Sequence, residues 1–398
     1  MSKKKILLNL CCLLIVSLLL SSSIYADDIY EGKPSMPTFS SNVNDVGSKV
    51  PNINAMAAIV IDTESGRVIY EKNAYSKRAI ASTTKIVTAI LALENGNLDD
   101  EVTVSKRAAS VWGSTIKLKE GQKLKLRELL YGLMLNSGND AAIAIAEHIG
   151  GTVENFCEMM TKKAHDLGAK NSSFKSPHGL DMDGHYSTAY DLAVIARYAL
   201  KNKTFSNIVR TQIASIPGRN LHNTNEMLYA YQGADGVKTG YTGKAGRCLV
   251  TSATRNNWRI ISVTLGSPTR NARAQSSKSI LDYAFENYKL HKLISKAESV
   301  AVLPVIKGLQ ESIPVNASRS IKLPLRQDEM DALVKEVNIG QEKLKAPVKA
   351  GTRIGNIRYV LNDKVIAESP LEIGSDVERK GILDYLCGIF TEWLKLME

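Results

Sequence analysis

A serine and a lysine three residues apart could form a catalytic pair for acyl transfer. Ser82 and Lys85 begin a segment in which Ile86, Ile90 and Leu93 recur at helical spacing. Residues i and i+3 of a helix share one face, so the hydroxyl and the amine can meet while the apolar side chains turn into a core. The hydroxyl could then attack a carbonyl carbon, and the amine could take its proton.

The same spacing occurs at three other places, so by itself it is a weak signal. These are Ser2–Lys5, Ser114–Lys117 and Ser172–Lys175. A solvated helix start is the better explanation of any one match taken alone. Ser82 differs from the other three serines in the motifs that follow it along the chain.

Two downstream motifs give Ser82 its context. Ser137-Gly138-Asn139 interrupts a second helical region, and Lys238-Thr239-Gly240 occurs once, at the start of a β-rich region. Ser-x-x-Lys, Ser-Asp-Asn and Lys-Thr-Gly are the signature of class A β-lactamases and penicillin-binding proteins, and glycine replaces the aspartate here. The three motifs come in that family's order. From about Ala57 to Tyr288 the chain therefore resembles the D-alanyl-D-alanine carboxypeptidases among the low-molecular-mass penicillin-binding proteins.

The resemblance implies roles for five side chains. Ser82 would be the nucleophile and Lys85 its base, although a lysine amine is a poor base at its ordinary pKa of about 10.4. Desolvation and a nearby positive charge, which Lys238 could supply, would lower that pKa. Ser137 would relay a proton toward the leaving amine, and Asn139 would hold the substrate's amide.

Members of this family bind the substrate's reacting oxygen and its terminal carboxylate at separate places. Backbone N–H groups of the nucleophile and of Tyr241, which follows Gly240, would hold the oxyanion. The Thr239 hydroxyl and an arginine would hold the carboxylate, for which a guanidinium can donate two hydrogen bonds. Arg273 stands at the matching place. Arg270 is the competing candidate, and a surface arginine at a helix start is the alternative interpretation of Arg273.

A loop rich in histidine and aspartate invites a metal-site interpretation. His178, Asp181, Asp183 and His185 lie within ten residues of one another. Glycine and proline mark an irregular turn, and Leu192 stands where a calcium loop begun at Asp181 would need its glutamate. In the resembled family a similar His-Gly-Leu-Asp segment borders the active site. We therefore expect a cleft wall with His178 nearest the chemistry, and neither a metal nor another cofactor.

Other functions compete with the carboxypeptidase reading. A β-lactamase adds a glutamate that activates water, and no glutamate occurs between Glu158 and Glu226, where it should lie. We therefore expect slow turnover of β-lactams, which would act as acylating inhibitors. A D,D-endopeptidase or transpeptidase is an alternative function, and so is a catalytically silent module that binds the cell wall. The intact serine and lysine motifs favour an enzyme that removes the terminal D-alanine from peptidoglycan stem peptides.

The N-terminus has the pattern of a secretory signal peptide. Lysines 3–5 precede an apolar run from Ile6 to Leu20, and small residues follow as far as Ala26. The run is too short to favour a membrane-spanning helix. We expect an exported protein at the outer face of the cytoplasmic membrane.

Charge and cysteine content agree with an extracytoplasmic protein. The net charge of +11 would fall by three after cleavage of the signal, and a cationic surface suits anionic wall polymers or lipid head groups. Nothing argues for a nucleic-acid partner. Cys157, Cys248 and Cys387 would remain, and three distant cysteines argue against a disulfide framework.

The order of elements predicts an α+β class with a small second domain. A hairpin around 63–66 and two β-rich runs joined by Asn256-Asn257 predict an antiparallel sheet. Helical patterns over 124–149, 191–200 and 272–288 would cover it, with Gly138 letting the backbone bend inside the first. Later β-like runs cover 300–302, 321–325, 354–360 and 365–367. The predicted divisions are 1–26 signal peptide, 27–49 linker or arm, 50–292 catalytic domain, 293–376 small β domain and 377–398 amphipathic helix.

Apolar residues recur at spacings of three and four from Ile382 to Met397. The pattern predicts an amphipathic helix, and its length and charge argue against a span across a bilayer. We favour an anchor at the membrane surface, because Phe390 and Trp393 suit a head-group boundary. A helix that docks on the small β domain is the alternative.

Overall fold

The computed structural model describes Pro37, residues 50–395 and Met397. The predicted signal peptide and, apart from Pro37, the predicted linker lie outside the described residues. The chain divides into two compact units between Glu286 and Asn287, six residues before the predicted boundary. The division comes early because the strand that begins at Lys289 pairs within the second unit.

An antiparallel sheet of five strands lies at the centre of the first unit. The strands of this unit are β1 (Ala57–Asp62), β2 (Val68–Lys72), β3 (Glu101–Thr103), β4 (Lys123–Lys125), β5 (Ile213–Ile216), β6 (Arg219–His222), β7 (Ala234–Thr242), β8 (Gly246–Arg255) and β9 (Trp258–Ser267). The order across the sheet is β2-β1-β9-β8-β7, which leaves β7 at an edge. The predicted pairing of β8 with β9 is confirmed, and Asn256 and Asn257 take positive φ angles in the tight turn between them.

Helices surround this sheet. They are α1 (Lys85–Asn95), α2 (Lys106–Ser110), α3 (Leu126–Leu135), α4 (Asn139–Gly150), α5 (Val153–Asp166), α6 (Ala189–Ala199), α7 (Lys203–Arg210), α8 (Met227–Ala230) and α9 (Arg270–Asn287). Helix α1 has apolar side chains on nearly every side, and its residues 85–92 are all buried. It therefore lies inside the helical layer, against α3, α4 and α5.

The predicted helices are found, with shifted ends. Helix α6 begins at Ala189 rather than at Asp191, because the Thr188 side chain caps it by accepting a hydrogen bond from the Asp191 N–H at 3.0 Å. Helix α9 begins at Arg270 rather than at Ala272. Its Ser277 hydroxyl lies 2.9 Å from the hydroxyl of Ser262 in β9, on the sheet face opposite to the one that contacts α1.

The second unit is a small β domain, as predicted. Its elements are β10 (Lys289–Ile294), β11 (Ser299–Ile306), β12 (Ser312–Ala317), β13 (Ile321–Leu325), α10 (Gln327–Asp331), β14 (Val334–Ile339), β15 (Leu344–Lys345), β16 (Arg353–Leu361), β17 (Lys364–Ile373) and α11 (Ile382–Lys395). Six strands form a sheet in the order β14-β16-β17-β12-β11-β15, and β10 pairs with β13. The predicted runs leave out β10, β12, β14 and the short β15. Strand β12 contains Pro314, and the first five residues of β14 are all exposed and show no alternation.

The amphipathic C-terminal helix begins five residues later than the predicted division. Residues before it still belong to the β domain, since the Lys380 N–H donates to the Lys307 carbonyl at 2.9 Å and the Leu309 N–H to the Glu378 carbonyl at 2.9 Å. Among the helices of the described residues, none has the length and apolar character needed to cross a membrane.

Candidate active site

The Ser82 and Lys85 side chains meet at the start of α1. A single 3-10 turn, Ala81–Thr84, leads directly into the helix, so the two residues stand on one face as the sequence predicted. The Lys85 Nζ lies 2.8 Å from the Ser82 Oγ. Lys85 is fully buried, whereas Ser82 is half-buried and therefore accessible to a substrate.

Two further oxygen atoms hold the Lys85 amine in place. The Nζ donates to the Asn139 Oδ1 at 2.7 Å and to the backbone carbonyl of His178 at 2.8 Å. These partners come from helix α4 and from the loop before α6, so three separate parts of the chain meet at one nitrogen. Such fixed contacts restrict the amine to a position beside the serine oxygen.

Asn139 contacts protein groups through its side-chain amide, and the expectation that it holds the substrate's amide stays a prediction. Its Oδ1 accepts from Lys85 and its Nδ2 donates to the Trp112 carbonyl at 2.8 Å. Its backbone N–H donates to the Ser114 carbonyl at 2.7 Å. Because both ends of the side-chain amide bind protein groups, Asn139 orients Lys85 in this structure.

The bend between α3 and α4 also differs in detail. The left-handed residue is Ser137, at φ 60°, whereas Gly138 has an ordinary φ of −58°. A Cβ at 138 would lie 2.8 Å from the Asp140 Oδ1, so a larger residue there requires the buried Asp140 side chain to shift. The Ser137 side chain is buried in this bend, two residues before Asn139.

The edge strand β7 brings the third motif to the nucleophile. A Cβ added to Gly240 would lie 2.9 Å from the backbone nitrogen of Ser82, so only glycine allows this approach. Lys238 is buried, and its Nζ donates to the Thr239 carbonyl at 3.1 Å. The ring of Tyr241 is covered by the guanidinium of Arg247 at 3.6 Å from the ring centroid.

The loop with His178 forms the other wall beside the nucleophile. Gly179, at φ 91°, passes so close to the nucleophile turn that a Cβ would overlap the Ala81 carbonyl. The Thr88 hydroxyl in α1 donates to the Pro177 carbonyl at 2.6 Å. His178 therefore contacts the site through its backbone carbonyl, which accepts a hydrogen bond from Lys85. Its ring Nδ1 accepts from the Leu180 N–H at 3.1 Å.

Both histidines of this loop are buried and engaged by protein groups. Desolvation, reinforced by the charge of Lys85, lowers the pKa of His178 to about 3. Desolvation lowers the pKa of His185 to about 4, and its ring nitrogens contact the Thr84 hydroxyl and the Lys175 N–H. Both rings are therefore neutral between pH 5 and 8. No cluster of three His, Cys, Asp or Glu side chains suited to a metal ion is found in the part of the chain that the structure describes.

Arg273 lies beside the Lys-Thr-Gly strand but is already paired. Its Nε and Nη2 donate to the two carboxylate oxygens of Glu226 at 2.9 and 2.7 Å, and its Nη1 donates to the Cys248 carbonyl at 3.4 Å. Cys248 is the cross-strand partner of Gly240. Arg273 is therefore a buried residue beneath the strand and not a surface arginine, whereas Arg270 is half-exposed at the first position of α9.

Sequence reasoning missed two side chains next to the predicted site. The Thr224 hydroxyl lies 2.8 Å from the Thr239 hydroxyl, and Glu226 holds Arg273. Neither residue belongs to a recognisable motif, and Glu226 is 47 positions from its partner. Only the packing of segment 223–228 against β7 and α9 reveals them.

Comparison with known proteins supports one family along most of the chain. The profile of the family described as D-alanyl-D-alanine carboxypeptidase matches residues 44–269, and that of the penicillin-binding protein 5 C-terminal domain matches 288–379. The carboxypeptidase DacF of Bacillus subtilis is 38% identical over 352 residues, covering 86% of this chain and 90% of that protein. DacA of Escherichia coli is 30% identical, covering 94% of each.

Solved structures agree with these sequence relationships. Penicillin-binding protein 5 from Haemophilus influenzae superimposes with a TM-score of 0.74 at 30% identity, covering 84% of this chain and all of the other. The sequence matches, the fold and the position of the three motifs around Ser82 and Lys85 thus support the same family. The chain belongs to the D-alanyl-D-alanine carboxypeptidase family of serine-type penicillin-binding proteins.

Proposed function

We propose that, in this D-alanyl-D-alanine carboxypeptidase, Ser82 is the acylated nucleophile and Lys85 its base. The observation that carries the proposal is the position of the Lys85 Nζ, within 2.8 Å of three oxygen atoms. A neutral amine has two N–H donors and one lone pair. If the N–H groups bind Asn139 and the His178 carbonyl, the lone pair faces the Ser82 hydroxyl and can take its proton.

Each step of the reaction then has a group to perform it. The Ser82 oxygen attacks the carbonyl carbon of the penultimate D-alanine of a stem peptide while its proton moves to Lys85. The backbone N–H groups of Ser82 and Tyr241 hold the oxyanion, supported by the close approach of Gly240 to the Ser82 nitrogen. The C–N bond breaks, the terminal D-alanine leaves with a proton, and water hydrolyses the ester. Ser137 is the proposed relay of that proton, since it stands two residues from Asn139 in the buried bend.

We assign Thr239 and Arg273 to the substrate's terminal carboxylate. Thr239 lies on β7, the strand that brings Gly240 to the nucleophile, and Arg273 donates to the Cys248 carbonyl of β8, opposite Gly240. Buried Lys238 adds positive charge next to Thr239. A β-lactam carries a carboxylate at a comparable distance from its reactive carbonyl, so the same groups serve inhibitor and substrate.

Arg273→Ala should raise KM for a peptide ending in free D-alanyl-D-alanine far more than for the same peptide with an amidated end. Loss of one charge-assisted contact of about 1.5–3 kcal/mol corresponds to about ten- to hundredfold. Steady-state kinetics on the two peptides measures the effect. Arg270→Ala is the matched control, and Arg273→Lys shows whether a charge alone suffices. Equal losses on both peptides would remove Arg273 from the carboxylate site.

We further propose that the protein is exported and attached to the outer face of the cytoplasmic membrane. The N-terminal pattern of lysines, apolar run and small residues supports export. The C-terminal helix α11 supports attachment, because its large apolar side chains are 44–81% exposed. These side chains are Ile382, Leu383, Tyr385, Leu386, Ile389, Phe390, Trp393 and Leu394.

Ending the chain after Lys380 should release the protein from anionic vesicles without loss of penicillin capture. The chain should end after Lys380 rather than after Val377, because residues 378–380 form backbone hydrogen bonds with the β domain. Vesicle sedimentation measures binding, and labelled penicillin reports the fold of the catalytic domain.

Point variants in the full chain separate anchoring from packing. Phe390→Asp places a charge in the apolar stripe and should weaken vesicle binding, whereas Thr391→Asp is its neighbour control. If the shortened protein still sediments with vesicles, attachment through α11 is wrong.

A further inference from the structure

One short segment holds both groups assigned to the substrate carboxylate. The Thr224 hydroxyl bonds to the Thr239 hydroxyl at 2.8 Å, and two residues later the Glu226 carboxylate binds the Arg273 guanidinium. The segment itself is fixed, since the Thr224 N–H donates to the Leu135 carbonyl at 3.1 Å. The carboxylate site therefore includes a negative charge of the protein's own.

The ion pair between Glu226 and Arg273 is buried and bidentate. The side chains are 6% and 1% exposed, and the two N···O distances are 2.9 and 2.7 Å. Glu226 takes the Nε and Nη2 side of the guanidinium, and the Nη1 side points toward the strand at Cys248. A carboxylate of the substrate that reaches the arginine must therefore share it with Glu226.

We propose that Glu226 is a positioning residue that sets how strongly Arg273 binds a carboxylate. This inference rests on the proposed contact between Arg273 and the substrate. Glu226 leaves the Nη1 edge of the guanidinium directed at the Cys248 carbonyl of β8, the strand paired with the Lys-Thr-Gly strand. Glu226 also cancels the charge of the guanidinium, and two carboxylates on one guanidinium repel each other. The site thus discriminates less sharply in favour of a free carboxylate than an unpaired arginine would. The same repulsion acts on the released D-alanine, whose carboxylate leaves the site more readily.

Glu226→Gln tests this inference, because glutamine keeps the shape and a hydrogen-bond acceptor but removes the charge. We expect the ratio of KM for the amidated peptide to KM for the free-acid peptide to rise at least about threefold. Inhibition by added D-alanine should become stronger by a similar factor, while kcat on the free acid changes less than KM. Glu226→Asp keeps the charge on a shorter side chain and should give a smaller rise. Steady-state kinetics on both peptides, with and without D-alanine, provides these values.

A control variant, Glu94→Gln, and a comparison with Arg273→Ala complete the test of Glu226. Glu94→Gln removes a half-buried ion pair with Lys163 at the far end of α1, about 13 Å along the helix from Lys85, and should leave the KM ratio unchanged. An unchanged or lower ratio in a folded Glu226→Gln protein overturns the inference. If Arg273→Ala still separates the two peptides in that case, the proposed carboxylate contact survives. If Arg273→Ala does not separate them, that contact is wrong as well.

Discussion

Ser82→Ala is expected to abolish covalent capture of penicillin and to reduce hydrolysis of the terminal D-alanine by a factor on the order of 10⁴ or more. The substitution removes the hydroxyl oxygen that lies 2.8 Å from the Lys85 amine, on the residue whose backbone nitrogen Gly240 approaches closely. Asn139 and the His178 carbonyl would still hold the lysine, so the fold should be retained. Labelled penicillin followed by gel electrophoresis measures capture, and release of D-alanine measures hydrolysis.

Ser114→Ala is the matched control for this experiment. Ser114 also has a lysine three residues later and lies near the site, where its backbone carbonyl accepts from the Asn139 N–H at 2.7 Å. An alanine at 114 keeps that carbonyl, so capture should persist. A peptide map that places the penicillin adduct on a residue other than Ser82 would contradict the assignment.

The local parts of the site were predictable because short-range geometry determines them. Ser82 and Lys85 meet through the i, i+3 relationship at a helix start, and 2.8 Å separates their reactive atoms. The β8–β9 pairing followed from two asparagines that tolerate positive φ angles. In both cases the residues that determine the structure lie within a few positions of each other.

The long-range parts were not predictable for two physical reasons. Backbone carbonyls of His178 and Trp112 fix Lys85 and Asn139, and a carbonyl leaves no trace in residue type. The pairing of Glu226 with Arg273 depends on how segment 223–228 packs against α9. The bend before α4 shows a separate, local limit, since the positive φ falls on Ser137 and not on Gly138.

Replacing Lys85 is expected to have the second largest effect on acylation. Lys85 acts both as a hydrogen-bond donor and as a base, and the two functions can be measured separately. As a donor it satisfies the Asn139 Oδ1 and the His178 carbonyl, both buried, and leaving a buried acceptor unsatisfied costs about 1–3 kcal/mol. As a base it takes the Ser82 proton, a contribution of about 10²–10⁴ in rate. Loss of the donor lowers stability, whereas loss of the base lowers the acylation rate in protein that remains folded.

Lys85→Met should therefore slow acylation by penicillin by about 10³-fold or more while lowering the melting temperature by several degrees. Methionine fills similar space but offers neither an N–H donor nor a base. The rate is measured by stopped-flow or timed labelling at a temperature where the variant is folded. Lys175→Met is the control, because Lys175 also stands three residues after a serine but is exposed. Combined with Ser82→Ala, Lys85→Met should cause little further loss, since nucleophile and base act as one unit. Additive losses would mean that Lys85 supports the site without serving as the base of Ser82.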